Sequence, residues 1–135
     1  MKNLTPKQPQ PGGIVMVCIT RQRSCQRLIE RGAQLAADHG LTLEVVHVVN
    51  PGENFLGNPQ EGEALDFLFS LGKQYNAEVA MLRNENVLDT LIGYGVERNV
   101  QWILLGQPKS LSRRFTNITK EFSMRIPNAQ VEVVG

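Results

Sequence analysis

The chain is poor in the residues that staple small folds or carry redox and metal chemistry. Among 135 residues there are two cysteines, two histidines and one tryptophan, and aromatics make up 6% of the total. Cys18 and Cys25 have no CxxC spacing and no clustered histidine, which excludes a disulfide framework, a zinc knuckle and a thioredoxin-type motif and leaves two reduced thiols. No apolar run approaches the roughly 20 residues that cross a bilayer. Residues 1–13 lack the apolar centre of a signal peptide, so the expectation is a cytoplasmic protein without membrane insertion. Charge of one sign is also missing. Fourteen Lys and Arg stand against thirteen Asp and Glu, a formal net charge of +1, and the cations are scattered, which argues against nucleic acid as a partner. No Gly-x-x-x-x-Gly-Lys-Ser/Thr follows a strand, which excludes a P-loop, and no nucleophile motif marks a catalytic Ser or Cys.

What is present is a regular alternation of apolar runs and helical patterns. Pro6, Pro9, Pro11, Gly12 and Gly13 among polar residues predict a flexible lead-in over 1–13. One domain, 14–135, follows. Ile14 to Ile19 is a continuous β-branched run, as expected of a central strand buried on both faces. A helix is predicted from Ser24, its N-cap, to Gly40 in the left-handed C′ position, with His39 favouring the negative end of its dipole.

Leu41–Val49 predicts the second strand. Asn50–Gln60 is a polar connection whose Phe55 and Leu56 must either fold back onto the body or meet a partner. Helices are expected over Glu61–Tyr75, Val87–Arg98 and Phe115–Arg125, and strands over Glu78–Leu82, Trp102–Leu105 and Val131–Val134. Helix-length segments between strands require parallel pairing with right-handed crossovers, hence a three-layer α/β/α sandwich. The apolar last strand calls for covering or pairing, and a homodimer meets that need.

In such a sheet, ligands bind beyond the carboxyl ends of the strands. Ile103-Leu104-Leu105-Gly106-Gln107-Pro108-Lys109-Ser110-Leu111-Ser112-Arg113-Arg114 is the strongest candidate. Gly106 is free to take a positive φ, Ser110 and Ser112 offer hydroxyls, and Arg113 and Arg114 suit a phosphate at a helix entrance. The competing reading is a plain turn with solvated arginines. Thr20, Arg21, Arg23 and Ser24 after the first strand face the same crevice if strands one and four are neighbours. His47 is either a base or ribose contact or, more commonly for a lone histidine on a buried strand, a hydrogen-bonded core residue. Glu61, Glu63 and Asp66 complement a helix dipole rather than form an acid/base pair.

Val17-Cys18-Ile19-Thr20, Arg27-Leu28-Ile29-Glu30-Arg31-Gly32-Ala33, Glu44-Val45-Val46-His47-Val48 and Trp102-Ile103-Leu104-Leu105-Gly106-Gln107 resemble the universal stress protein family. The narrower likeness is to the stress-protein-like domain of osmosensitive potassium-sensor histidine kinases. The resemblance implies a five-stranded parallel sheet of order 3-2-1-4-5, dimerisation through the last strand, and in many members ATP between strands one and four. ATP-binding members carry an Asp after strand one and Gly-x-x-Gly-x9-Gly-Ser/Thr after strand four. Here Thr20 replaces the Asp, Lys109 replaces the second Gly, and Asn117 to Thr119 offers no third.

Some kinase domains of this type bind cyclic di-AMP through Ser-x-Ser and Phe-Thr-Ala-x-Tyr, where this chain has Thr20-Arg21-Gln22 and Leu43-Glu44-Val45-Val46-His47. The resemblance therefore implies a non-catalytic stress or signalling protein with no required cofactor and ATP, AMP or cyclic di-AMP as ligand, hydrolysing ATP slowly at most. Gly106, Gln107, Ser110, Ser112 and Arg113 would cradle phosphate, and Thr20, Arg21 and Val48 would border base and ribose. The alternative is a ligand-free dimerisation or docking module for a transport or signalling partner, served by the Phe55-Leu56 tip.

Overall fold

A computed structural model describes residues 13–108 and 113–135. The predicted lead-in, apart from Gly13, and Lys109 to Ser112 lie outside the described residues. These residues form, in chain order, β1 (Ile14–Cys18), α1 (Gln22–His39), β2 (Thr42–Val49), a 3-10 turn (Phe55–Gly57), α2 (Glu61–Gln74), β3 (Glu78–Arg83), α3 (Val87–Glu97), β4 (Val100–Gly106), α4 (Arg113–Arg125) and β5 (Gln130–Val134). The five strands make one parallel sheet of order β3-β2-β1-β4-β5, as the sequence predicts.

Alternation along β1 divides the core. Val15 and Val17 join Leu28 and Ile29 of α1 and Leu68 of α2 on one face, while Ile14, Met16 and Cys18 meet Ile92 of α3 and Phe122 of α4 on the other. The run Ile14–Cys18 is apolar throughout because both faces are covered. β4 starts two residues before its predicted position. Ile14 pairs with Val100 and Val15 with Trp102, so Gln101 is an extra residue that shifts the register.

Helix ends follow the expected chemistry at one terminus and depart from it at another. Gly40 closes α1 at φ 66°, its N–H donating to the Ala36 carbonyl. Asn76 and Asn99 take the same left-handed conformation after α2 and α3, a role asparagine tolerates and the sequence reading did not assign. The predicted cap at Ser24 is corrected. α1 begins at Gln22 with Arg21 as N-cap, and Ser24 Oγ donates back to the Arg21 carbonyl at 3.4 Å. The chain turns into the helix immediately after β1, which leaves Ser24 inside the first turn. Met124 near the end of α4 is exposed, whereas Ile126 just beyond it is buried.

Candidate functional site

The strand order creates a crevice. β1 and β4 are adjacent and parallel, yet β1 feeds α1 on one face of the sheet and β4 feeds α4 on the other. The two chains diverge beyond the strand ends, which is the topological switch point where open α/β sheets take ligands. Cys18 pairs with Leu105, and carrying that register forward sets Thr20 level with Gln107 at the mouth.

The two segments that border this crevice carry side-chain charge of one sign. No carboxylate side chain occurs from Ile14 through Ile29 or from Gln107 through Lys120. The N-termini of α2 and α3 carry Glu61, Glu63 and Asp89, whereas the first turns of α1 and α4 hold no acid. Among the described residues no side chain of Arg21 caps α1. Two helix ends with partial positive charge and no acid in the first turn thus open at the crevice, with Arg21, Arg23 and Arg113 exposed beside them. The missing carboxylates were readable in the sequence; their meaning depends on the strand order that brings the two segments together.

The individual candidates are placed unevenly. Thr20 and Arg21 are exposed after β1, and Arg113 opens α4. Gly106 ends β4 in an extended conformation and does not use the positive φ open to a glycine. Its smallness serves packing, since a Cβ there would lie 3.3 Å from Leu28 Cδ1. Gln107 is exposed and its N–H donates to the Val134 carbonyl at 2.9 Å, extending the β4–β5 ladder. Val48 is buried among the residues facing α3 and α4. Ser110 and Ser112 lie outside the described residues. Arg27, which the site reading omitted, donates from α1 to the Gly135 carbonyl and ties the end of β5 to the crevice side of α1.

His47 is a core residue. Only 1% exposed, it has both ring nitrogens engaged: Nδ1–H donates to the Ile19 carbonyl at 2.7 Å, and Nε2 accepts the Leu56 N–H at 2.7 Å. Burial holds its pKa below the usual 6.5, opposed by the bond to Ile19 and by the charge of Glu53. Phe55 and Leu56 fold back onto the body, both buried, with the Arg83 guanidinium 4.3 Å from the Phe55 ring centroid. Arg83 also pairs with Glu61, whose carboxylate accepts the Phe55 N–H at 3.2 Å. The loop tip therefore offers no free apolar surface to a partner.

Both cysteines are buried and free, and burial pushes each thiol up to about 12. Neither supplies a thiolate at neutral pH. Among the described residues no cluster of His, Cys, Asp and Glu could hold a metal ion, and no helix is long and apolar enough to cross a membrane. A separate open groove of about 440 Å³ runs along the sheet edge between α4 and β5, lined by Phe115, Thr119, Lys120, Val131 and Val133 among others. It lies beside the last strand rather than over the β1–β4 crevice.

Solved structures share this architecture. A universal stress protein from Archaeoglobus fulgidus is 18% identical, with a TM-score of 0.64 over 90% of this chain and 92% of that one. A universal stress protein in complex with cAMP gives 0.68 at 16% identity over 91% and 97%. The Archaeoglobus fulgidus protein in complex with dAMP gives 0.60 at 18% identity over 90% and 97%. No curated protein matches the chain in sequence. The family model for universal stress proteins, however, matches residues 13–115, most of the sheet and the crevice mouth included, and the chain belongs to the universal stress protein family.

Proposed function

We propose that the chain is a non-catalytic sensor that binds an adenine nucleotide or a cyclic dinucleotide in the crevice between β1 and β4. The observation that carries this reading is the pair of acid-free helix N-termini, α1 and α4, that open there with Arg21, Arg23 and Arg113. Aligned N–H groups and guanidinium ions stabilise phosphate charge, and the segments 14–29 and 107–120 hold no carboxylate side chain to oppose it. Thr20, where ATP-binding members carry Asp, keeps the mouth free of negative charge. The complexes of two structural neighbours with cAMP and dAMP support the choice of an adenine ligand. In this reading Gly106, Gln107, Ser110, Ser112 and Arg113 serve phosphate, and Thr20, Arg21 and Val48 border the base and ribose. The reading assumes a cytoplasmic protein. The narrower resemblance in sequence to osmosensitive potassium-sensor kinase domains makes a signalling or transport protein the partner to seek.

A thermal-shift series with ATP, ADP, AMP, cyclic AMP and cyclic di-AMP tests it. Ligand at about 100 times its dissociation constant stabilises a fold by about 2.7 kcal/mol, several degrees for a domain of this size. The expected result is such a shift for at least one nucleotide, lost in Arg113→Ala. No shift with any of them at millimolar concentration overturns the reading.

Pairing of two copies through β5 is a second reading, favoured by the groove beside the edge strand and by Val133, which is 39% exposed. Sedimentation equilibrium is expected to give a dimer for the wild type and a monomer for Val133→Glu. A monomeric wild type at tens of micromolar, on the order of working concentrations for such contacts, removes it.

A further inference from the structure

His47 bridges the backbones of two segments whose side chains share one apolar cluster. Its Nδ1–H holds the carbonyl of Ile19, the residue just before Thr20 and Arg21 at the crevice mouth, and its Nε2 holds the N–H of Leu56 in the loop after β2. Both bonds are 2.7 Å long, and together they fix the ring as the neutral Nδ1–H tautomer. The Leu56 backbone needs such a hold, because φ is 57° there on a residue that is not glycine. We propose that His47 is a proton-operated tie: neutral, it fastens the end of β1 to the loop after β2, and protonated, it releases that loop at the side of the crevice.

The proton has one place to go. Nδ1 already carries hydrogen, so protonation places a second on Nε2, where it meets the Leu56 N–H donor to donor and the bond is lost. Groups around the ring decide how readily this happens. From the loop, Glu53 favours the charged form, while burial among apolar residues disfavours it and prevails. From β3 and α2, Arg83 and Glu61 are paired across Phe55, whose ring centroid is 5.7 Å from that of His47, so their charges offset one another. From α1, Cys25 in the same apolar cluster is a neutral thiol. Arg21, after Ile19, is exposed to solvent.

The folded-state pKa is lowered, so the closed loop binds fewer protons than the open one. The tie is fully present above about pH 6.5, and it weakens as pH falls from there through the depressed value. An effect on a bound ligand rests on the nucleotide reading above; the tie itself does not.

The test is amide exchange with ring-nitrogen NMR on the full 15N-labelled chain between pH 7.5 and 5.0. After correction for intrinsic exchange, the Leu56 opening constant is expected to be flat above about pH 6.5 and to rise by up to tenfold per pH unit below it. Val17, at the centre of β1, reports global unfolding, which also frees His47 and shares the slope, but its opening constant is expected to stay well below that of Leu56 at every pH. In His47→Gln the side-chain oxygen can still accept from Leu56 and nothing titrates, so the slope disappears. Should that variant not fold, the wild-type comparison of Leu56 with Val17 decides alone. An Nε2–H tautomer at pH 7.5, a Leu56 opening constant that does not rise below about pH 6.5, or one equal to that of Val17 throughout, overturns the tie. The same five nucleotides added at both ends of the range separate the two ideas: absence of binding by all of them sinks the nucleotide reading, while a Leu56 that opens ahead of Val17 with a pH slope still supports the tie.

Discussion

Gly32→Val is expected to destabilise the fold by about 3 kcal/mol, the upper part of the range for overpacking a filled core. Gly32 lies on the face of α1 that packs on the sheet. A Cβ there would sit 2.6 Å from Val17 Cγ2 and 2.8 Å from Leu43 Cδ1, inside any real carbon–carbon contact. Neither neighbour has room to retreat, because Val17 is fully buried in the central strand and Leu43 is nearly so. Alanine at this site gains roughly 1 kcal/mol of helix propensity over glycine, yet its Cβ alone makes both clashes. The ordering Gly32, then Ala, then Val in falling stability is therefore the sharper form of the prediction. Urea denaturation followed by Trp102, the chain's one tryptophan, measures it. Equal or greater stability of Gly32→Ala would show that α1 can lift from β1 at little cost, and the close-approach account would fail.

The sheet was legible because its parallel strands write their burial directly into sequence. Ile14 to Cys18 have both faces covered, so all five positions are apolar, and the intervening helices force the parallel connection. Boundaries slipped where backbone pairing outruns the apolar pattern. Val100 belongs to β4 by pairing with Ile14, although Gln101 interrupts the run. Ser24 had the right residue type for a cap and the wrong position, since a polar side chain two residues into a helix has the same sequence appearance as one at its threshold. Gly32 carries no signal of its own in the sequence; only the distance between α1 and β1 explains why nothing larger fits.

The crevice was legible as a place and less so as a set of side chains. Gly106, Gln107 and the arginines follow from strand order alone, because a strand end at the switch point is recognisable once four connections are known. Val48 is placed beside the ligand by its position on β2, and only the structure shows that its side chain packs on the α3 and α4 side of the sheet. His47 could be read either way until its partners were seen. The Ile19 carbonyl and the Leu56 N–H come from segments 28 and 9 residues away, and no local pattern announces such a bridge. The same holds for Phe55 and Leu56, whose apolar character signalled a contact without saying with what.

Arg98→Ala is expected to cost about 2–3 kcal/mol, somewhat less than breaking a fully enclosed ion pair. Glu44 points from β2 into the α3 side of the sheet with its side chain only 5% exposed. Its carboxylate accepts from Arg98 Nε at 2.7 Å and Nη2 at 3.0 Å, and from Tyr94 Oη at 2.6 Å. Removing Arg98 leaves a buried anion with a single hydroxyl donor, and the desolvation that the guanidinium offsets then counts in full. The discount comes from Arg98, whose side chain is 42% exposed, so the pair is partly screened and water can approach from that side. Burial, with the bond to Glu44, also raises the Tyr94 hydroxyl pKa, which keeps it a donor across the physiological range. Glu44→Leu combined with Arg98→Ala is the informative companion, because it removes the buried charge together with its partner. It is expected to recover most of the loss, giving a coupling of about 1–2 kcal/mol in a double-mutant cycle by urea denaturation. A double variant no more stable than Arg98→Ala would mean that Arg98 acts through its aliphatic stem and its position over the Tyr94 ring, 5.1 Å from the centroid, rather than through the charge of Glu44.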